Sequence, residues 1–166
     1  MKKILVIGCP GSGKSTFSKA LHRITGIPLI HLDLLYWNPD RTTVERPVFL
    51  ERLTEALRGD AWIIDGNYAS TMELRMRSCD TVIFLDYPPE VCLDGVRQRQ
   101  GRPRSDIPWT DAEEDTEFLA FIRNYAVQNR PQVTELLARY AHKRILTFTS
   151  RAEADAFLTQ MQSCEQ

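Results

Sequence analysis

Eight consecutive residues, Gly8-Cys9-Pro10-Gly11-Ser12-Gly13-Lys14-Ser15, satisfy the pattern G-x-x-x-x-G-K-[ST]. Each residue type in it answers a chemical need. Gly8, Gly11 and Gly13 lack a Cβ, so with Pro10 and Ser12 between them the backbone N–H groups can curl round an anion. Lys14 brings a point charge to β- and γ-phosphates, the Ser15 hydroxyl can ligate Mg²⁺, and Thr16 adds a hydroxyl on the α-phosphate side. The pattern predicts a loop that grips a nucleotide's polyphosphate at the positive end of the following helix.

Two further groups of residues could act on a phosphate held there. Three apolar runs end in a carboxylate, at Asp33, Asp65 and Asp86. In an open α/β sheet ligands bind beyond the carboxyl ends of the strands, so parallel strands would deliver these groups to the edge that carries Lys14. Asp65 is the candidate Mg²⁺ carboxylate beside Ser15, and Asp33 the candidate for holding the acceptor or taking its proton. Asp86 serves equally well as a turn residue. The second group is Arg97, Arg99, Arg102 and Arg104, close to Gly101 and Pro103. Arg97, Arg102 and Arg104 are expected to stabilise charge on the transferring group and Arg99 to bind the nucleotide, on a segment that can close and exclude water. Arg123 and Arg130 could reach an acceptor phosphate or lie on plain surface. Tyr36 and Trp37 could line an acceptor pocket or pack in the core. His22, His31 and His142 show no ligand spacing and receive no role.

The elements that must position these residues alternate. Apolar runs of strand length occupy residues 3–7, 29–32, 62–64, 81–85 and 144–148, without the polar alternation of a one-sided sheet. Helical stripes lie between them: Phe17, Leu21, Ile24; Phe49, Leu53, Leu57; Phe118, Phe121, Ile122, Tyr125; and Val133, Leu136, Leu137, Tyr140, the last helix opened by Pro131. Strand, helix and strand in repetition predict a doubly wound α/β sheet with right-handed crossovers. The acidic Asp111, Glu113, Glu114, Asp115 and Glu117 suit a helix N-terminus.

Composition narrows the function. The 166 residues suit one domain spanning the whole chain, 43% of them are hydrophobic, and 21 basic against 22 acidic residues leave a net charge of −1. That balance argues against a dedicated nucleic-acid surface. No apolar run approaches a membrane span, and the first residues enter a strand without a cleavage site, so the expected compartment is the cytoplasm. Cys9, Cys79, Cys92 and Cys164 form no C-x-x-C pair and read as reduced thiols. An N/T-K-x-D base-reading motif and an L-S-G-G-Q segment are both missing from the sequence, which removes GTPases and transporter cassettes. Motor and helicase ATPases are larger, and a small phosphate-loop kinase remains.

The chain also resembles a known family over nearly its full length. The likeness is carried by Ile7 through Phe17 around the phosphate loop, by His31-Leu32-Asp33 with Tyr36-Trp37, and by Trp62-Ile63-Ile64-Asp65-Gly66-Asn67-Tyr68. It continues in Ile83-Phe84-Leu85-Asp86-Tyr87-Pro88 and in Phe118-Leu119 through Tyr125. On these motifs it resembles the DNA topology modulation proteins, small adenylate-kinase-like phosphate-loop proteins. The resemblance implies a nucleoside-monophosphate-kinase-like three-layer α/β/α sandwich of the P-loop NTPase class, with a five-stranded parallel sheet in the order 2-3-1-4-5. It also implies ATP on the phosphate loop, an arginine-bearing lid over about 97–112, and Ser150 and Arg151 near the adenine. Adenylate kinases carry Asp-Gly-Phe-Pro-Arg where this chain has Asp65-Gly66-Asn67-Tyr68-Ala69, so the acceptor-binding arginine of that motif is missing.

The expectation is therefore an ATP- and Mg²⁺-dependent phosphotransferase whose partner is a small-molecule acceptor, nucleotide or nucleoside-like. The alternative is an ATP-binding regulator of DNA topology with little or no kinase activity. The second would need a basic, salt-sensitive surface, and only the stretch 97–104 could supply it.

Overall fold

The computed structural model describes residues 1–108 and 115–164. Its elements run β1 (Lys3–Gly8), α1 (Lys14–Thr25), β2 (Leu29–His31), α2 (Leu32–Tyr36), α3 (Arg46–Leu57), β3 (Trp62–Asp65), α4 (Ala69–Ser78), β4 (Thr81–Leu85), α5 (Pro89–Arg99), α6 (Thr116–Gln128), α7 (Arg130–Arg139), β5 (Arg144–Phe148) and α8 (Arg151–Cys164). Among the described residues the strands form one all-parallel sheet in the order β2-β3-β1-β4-β5. This is the order that the resemblance implies.

The apolar runs explain why the sheet is covered twice. Successive residues of a strand point to opposite faces. In β1, Leu5 and Ile7 join Phe49, Leu53 and Leu57 of α3, Met72 and Met76 of α4, and Val133 and Leu137 of α7 in one layer. Ile4 and Val6 face the other way, into a layer with Phe17 and Leu21 of α1, Cys92 of α5, Ile122 and Tyr125 of α6 and Ala154 of α8. The predicted stripes thus face the core with two exceptions: Ile24 is half-buried and joins neither layer, and Phe121 turns 40% of its surface outward while Leu119 takes an inward place.

The sequence boundaries shift at three strand ends, with β1 running on to Gly8 and β3 to Asp65. β2 stops at His31, because its last ladder partner, Asp65, is the final residue of β3. Leu32 then opens the short helix α2 and buries completely, which puts Asp33 in a first helical turn instead of directly on a strand tip. At the start of α6, Asp115 accepts a hydrogen bond from the Phe118 N–H as an N-cap, with Glu117 behind it. Asp111, Glu113 and Glu114, and the end of the expected lid from residue 109, lie outside the described residues.

Helix α5 sits directly against the phosphate loop. A Cβ on Gly11 would come within 2.0 Å of the Cys92 carbonyl oxygen, and one on Gly95 within 2.1 Å of the Gly11 carbonyl oxygen. Only glycine fits on either side of that seam. Cys9, Cys79 and Cys92 are buried free thiols, and the side chain of Cys164 lies outside the description. Among the described residues no helix is long and apolar enough to cross a membrane.

Candidate active site

The phosphate loop joins β1 to α1 and opens into a cavity of about 1270 Å³. Helix geometry leaves the N–H groups of the first turn of α1 without intrahelical acceptors. The N-cap residue, Gly13, has φ 90° and no side chain to satisfy them, and no acidic residue stands in that turn. An uncapped, positively polarised helix end behind a cradle of close backbone contacts is what a polyphosphate requires. Lys14 lines the cavity, and its Nζ donates to the carbonyl oxygens of Gly8 (2.9 Å) and Cys9 (3.1 Å). Burial pulls its ammonium below the ordinary lysine value, opposed by the charges of Asp65 and Asp33.

Most of the residues singled out from sequence come together on this one cavity. Pro10, Gly11, Gly13, Lys14, Ser15 and Thr16 line it, with Asp33 on one side and Arg97, Arg99, Arg102 and Arg104 on the other. Arg99 also lies over the Phe118 ring, 5.9 Å from its centroid. Arg151 reaches the cavity from α8, donating to the Gly11 carbonyl at 3.3 Å and lying over the Tyr87 ring. Ser150 does not line the cavity, and its hydroxyl accepts from the Glu153 N–H. Gly8 and Ser12 sit behind the loop surface, with the Gly8 N–H donating to Asn67 Oδ1 at 3.1 Å. Asp86 is taken up in a bidentate pair with Arg130, and Arg123 is exposed away from the cavity.

Asp65 is 4% exposed and lies outside the cavity lining. Its two carboxylate oxygens both lie 2.9 Å from His31 Nδ1, which donates to them. The Ser15 hydroxyl instead donates to Asp106 Oδ2 at 2.7 Å, and Asp106 is gripped by Arg104. That pairing holds the Asp106 carboxyl far below the usual carboxylate range in spite of its burial.

Another wall of the cavity is built on Asp33. Tyr68 donates its hydroxyl to Asp33 Oδ1 at 2.6 Å, and Trp37, Arg41, Gly66 and Asn67 complete the wall. Burial raises the Asp33 carboxyl above its ordinary value, while the Tyr68 bond and the Lys14 charge hold it down. Tyr36 packs edge-on against Trp37 and Phe49 and tilts against Tyr68, so it belongs to the core while Trp37 reaches the cavity.

Beneath this wall lies Arg75 of α4, fully buried. Its guanidinium donates to the carbonyl oxygens of Gly66, Asn67 and Tyr68. One cation thereby fixes the segment that carries both Asn67, bonded to the phosphate loop, and Tyr68, bonded to Asp33. Burial pushes Arg75 down to about 9, so it stays protonated at neutral pH. Sequence reasoning missed His31, Arg75 and Asp106 in these roles. Only Arg75 left a trace, because Met72, Arg75 and Met76 share one helical face with i, i+3, i+4 spacing.

No family model matches the chain, and no curated protein matches it at a significant level. Solved structures do. A shikimate kinase from Bacteroides thetaiotaomicron is 24% identical over 98% of this chain and 96% of its own, with a TM-score of 0.55. A shikimate kinase from Acinetobacter baumannii, in complex with shikimate, is 16% identical over 99% of this chain and 93% of its own, with a TM-score of 0.63. At these identities the likeness is one of architecture: the chain has the fold of the small phosphate-loop kinases.

Proposed function

We propose that the protein is an ATP-dependent phosphotransferase that moves the γ-phosphoryl group to a small-molecule acceptor. One observation carries this reading: a single cavity presents the phosphate loop with Lys14, six arginines and a half-buried carboxylate, Asp33, held by a tyrosine. The arrangement suits phosphoryl transfer, in which the protein positions two reactants and stabilises charge spread over the equatorial oxygens. The kinase names of the two structural neighbours support it.

The chain's own groups divide the work. The backbone cradle and the α1 N-terminus would bind the β- and γ-phosphates, and Lys14 would exchange its bonds to the Gly8 and Cys9 carbonyls for phosphate oxygens. Arg97, Arg102 and Arg104 would meet the equatorial charge, and Arg99 and Arg151 would hold the nucleotide. Asp33 would orient the acceptor and take its proton. A divalent cation such as Mg²⁺ would be held through Ser15 and a nearby carboxylate, and would supply neutralisation of phosphate charge. The residues fit it: Ser15 supplies the hydroxyl ligand, and Asp65 and Asp106 are the candidate carboxylates.

Within the phosphate-loop kinases we place the chain beside the DNA topology modulation proteins, on its Asp65-Gly66-Asn67-Tyr68 segment. The acceptor reading is preferred to a DNA-acting regulator, because the arginines of the 97–104 stretch line the cavity.

A screen of ADP release over nucleosides, nucleoside monophosphates, sugars and hydroxy acids tests the proposal. Stimulation by at least one class is expected. A release rate identical with and without every acceptor would make the protein a nucleotide hydrolase instead.

The pH dependence is expected to expose Asp33. A proton acceptor must be ionised, so kcat/KM falls as pH drops through the raised Asp33 value. The Tyr68 bond favours the ionised form, and Tyr68→Phe removes it. The acid limb should then move to higher pH, with the loss confined to that limb and recovered above it. An unmoved limb would separate Asp33 from the proton transfer.

A further inference from the structure

We propose that Asp106, carried by the arginine segment, is the positioning carboxylate of the divalent-cation site at Ser15. The inference rests on the phosphotransferase reading and deepens it. Strand-end position makes Asp65 the obvious choice, yet both oxygens of Asp65 face His31 and it lies off the cavity lining. Asp106 is 91 residues from Ser15 in sequence, is 6% exposed, lines the cavity, and accepts the Ser15 hydroxyl proton at 2.7 Å.

The chemistry of a hydroxyl explains why that bond suits a cation ligand. Ser15 has one proton and two lone pairs. Donating the proton to Asp106 leaves the lone pairs for a cation, fixes the rotamer and enriches the oxygen, as outer-shell partners do for metal ligands generally. Hard oxygen donors of this type suit Mg²⁺, which keeps several waters, and a carboxylate at this place can hold one of them. Arg104 fixes the other side of the carboxylate through Nε at 3.1 Å and Nη2 at 2.8 Å. Its charge offsets that of Asp106, and among the described residues no cluster of three or more His, Cys, Asp or Glu side chains could hold a metal ion. Because Arg104 neutralises Asp106, the cation is expected to arrive with nucleotide phosphates. Asp106 lies in the same stretch as Arg102 and Arg104, so the carboxylate beside Ser15 and the arginines lining the cavity share one support.

Calorimetry on the full chain tests this, with ATP titrated in Mg²⁺ and in EDTA, and with Mg²⁺ titrated alone. Wild type should bind Mg²⁺·ATP more tightly than ATP in EDTA and show no heat with Mg²⁺ alone. In Asp106→Asn the Mg²⁺-dependent gain should fall about tenfold or more, while affinity in EDTA is kept or rises, because a negative charge beside the phosphates has gone and Arg104 loses that counter-charge. A Ser15→Ala, Asp106→Asn double variant should lose no more of the gain than the worse single variant, because Asp106 acts through Ser15. Thermal melting checks that each variant folds, and Asp106→Glu should recover part of the gain where asparagine does not. A full gain in folded Asp106→Asn, or its loss in Asp65→Asn alone, would overturn the assignment. Wild type that binds ATP equally with and without Mg²⁺ would overturn it as well, leaving the phosphate loop intact. Wild type that binds no ATP in either buffer would instead end the phosphotransferase reading.

Discussion

Lys14→Ala is expected to lower kcat about a thousandfold while the protein stays folded. The magnitude follows from removing a preorganised cation aimed at developing phosphate charge in a partly buried site, where one such donor is typically worth about 10²–10³ in rate. The fold should survive because Lys14 contributes little to it. Its Nζ bonds only to two loop carbonyls, and burial already pulls its ammonium below the ordinary value, so the folded chain bears a cost for holding that charge. Single-turnover kinetics beside a thermal melt separate the two effects. A melting temperature unchanged or slightly raised, with turnover collapsed, is the expected pair. Turnover within about tenfold of wild type would leave the loop without its assigned chemistry.

The largest effect on stability is expected at Arg75→Met. The substitution keeps an unbranched apolar stem in the α4 face but strips the donors from the Gly66, Asn67 and Tyr68 carbonyls. A buried acceptor left unmet costs about 1–3 kcal/mol. The saving from no longer burying a cation offsets part of the total, so the net loss should be about 3 kcal/mol. Urea unfolding reads it directly, and for a domain of this size that is a large share of the whole. Arg75→Lys should recover only part, since an ammonium on a flexible stem cannot reproduce the planar fork. The same variant should impair catalysis before it unfolds the protein, because the segment it loosens ties Asn67 to Gly8 and Tyr68 to Asp33. A loss under about 1 kcal/mol would mean that water replaces the guanidinium at no great cost.

What could be read from the chain in advance divides along a physical line. The phosphate loop was legible because all its chemistry is contiguous: glycines, lysine and serine must be adjacent for the backbone to wrap an anion. The sheet was legible because strands covered on both faces become unbroken apolar runs, as Ile4 to Ile7 and Val82 to Leu85 are. Asp33 was legible as a group near a strand tip, but not as a residue of a helical turn, since a ladder's last rung depends on where the neighbouring strand ends. His31, Asp106 and Arg75 were hidden for other reasons. His31 meets Asp65 and Asp106 meets Ser15 only across the tertiary fold, and no spacing rule connects partners 34 or 91 residues apart. Arg75 left only the trace of its spacing with Met72 and Met76, because pattern reasoning assigns a charged residue in a helix to solvent, whereas here four backbone oxygens replace the water.

The glycine seam between Gly11 and Gly95 brings the backbone of α5 hard against the phosphate loop. Arg99 stands four positions beyond the contact, about 6 Å along the axis. The distance between that arginine and the anion cradle is therefore set by main-chain packing. A side chain at either glycine would wedge the helix away and carry Arg97 and Arg99 off with it.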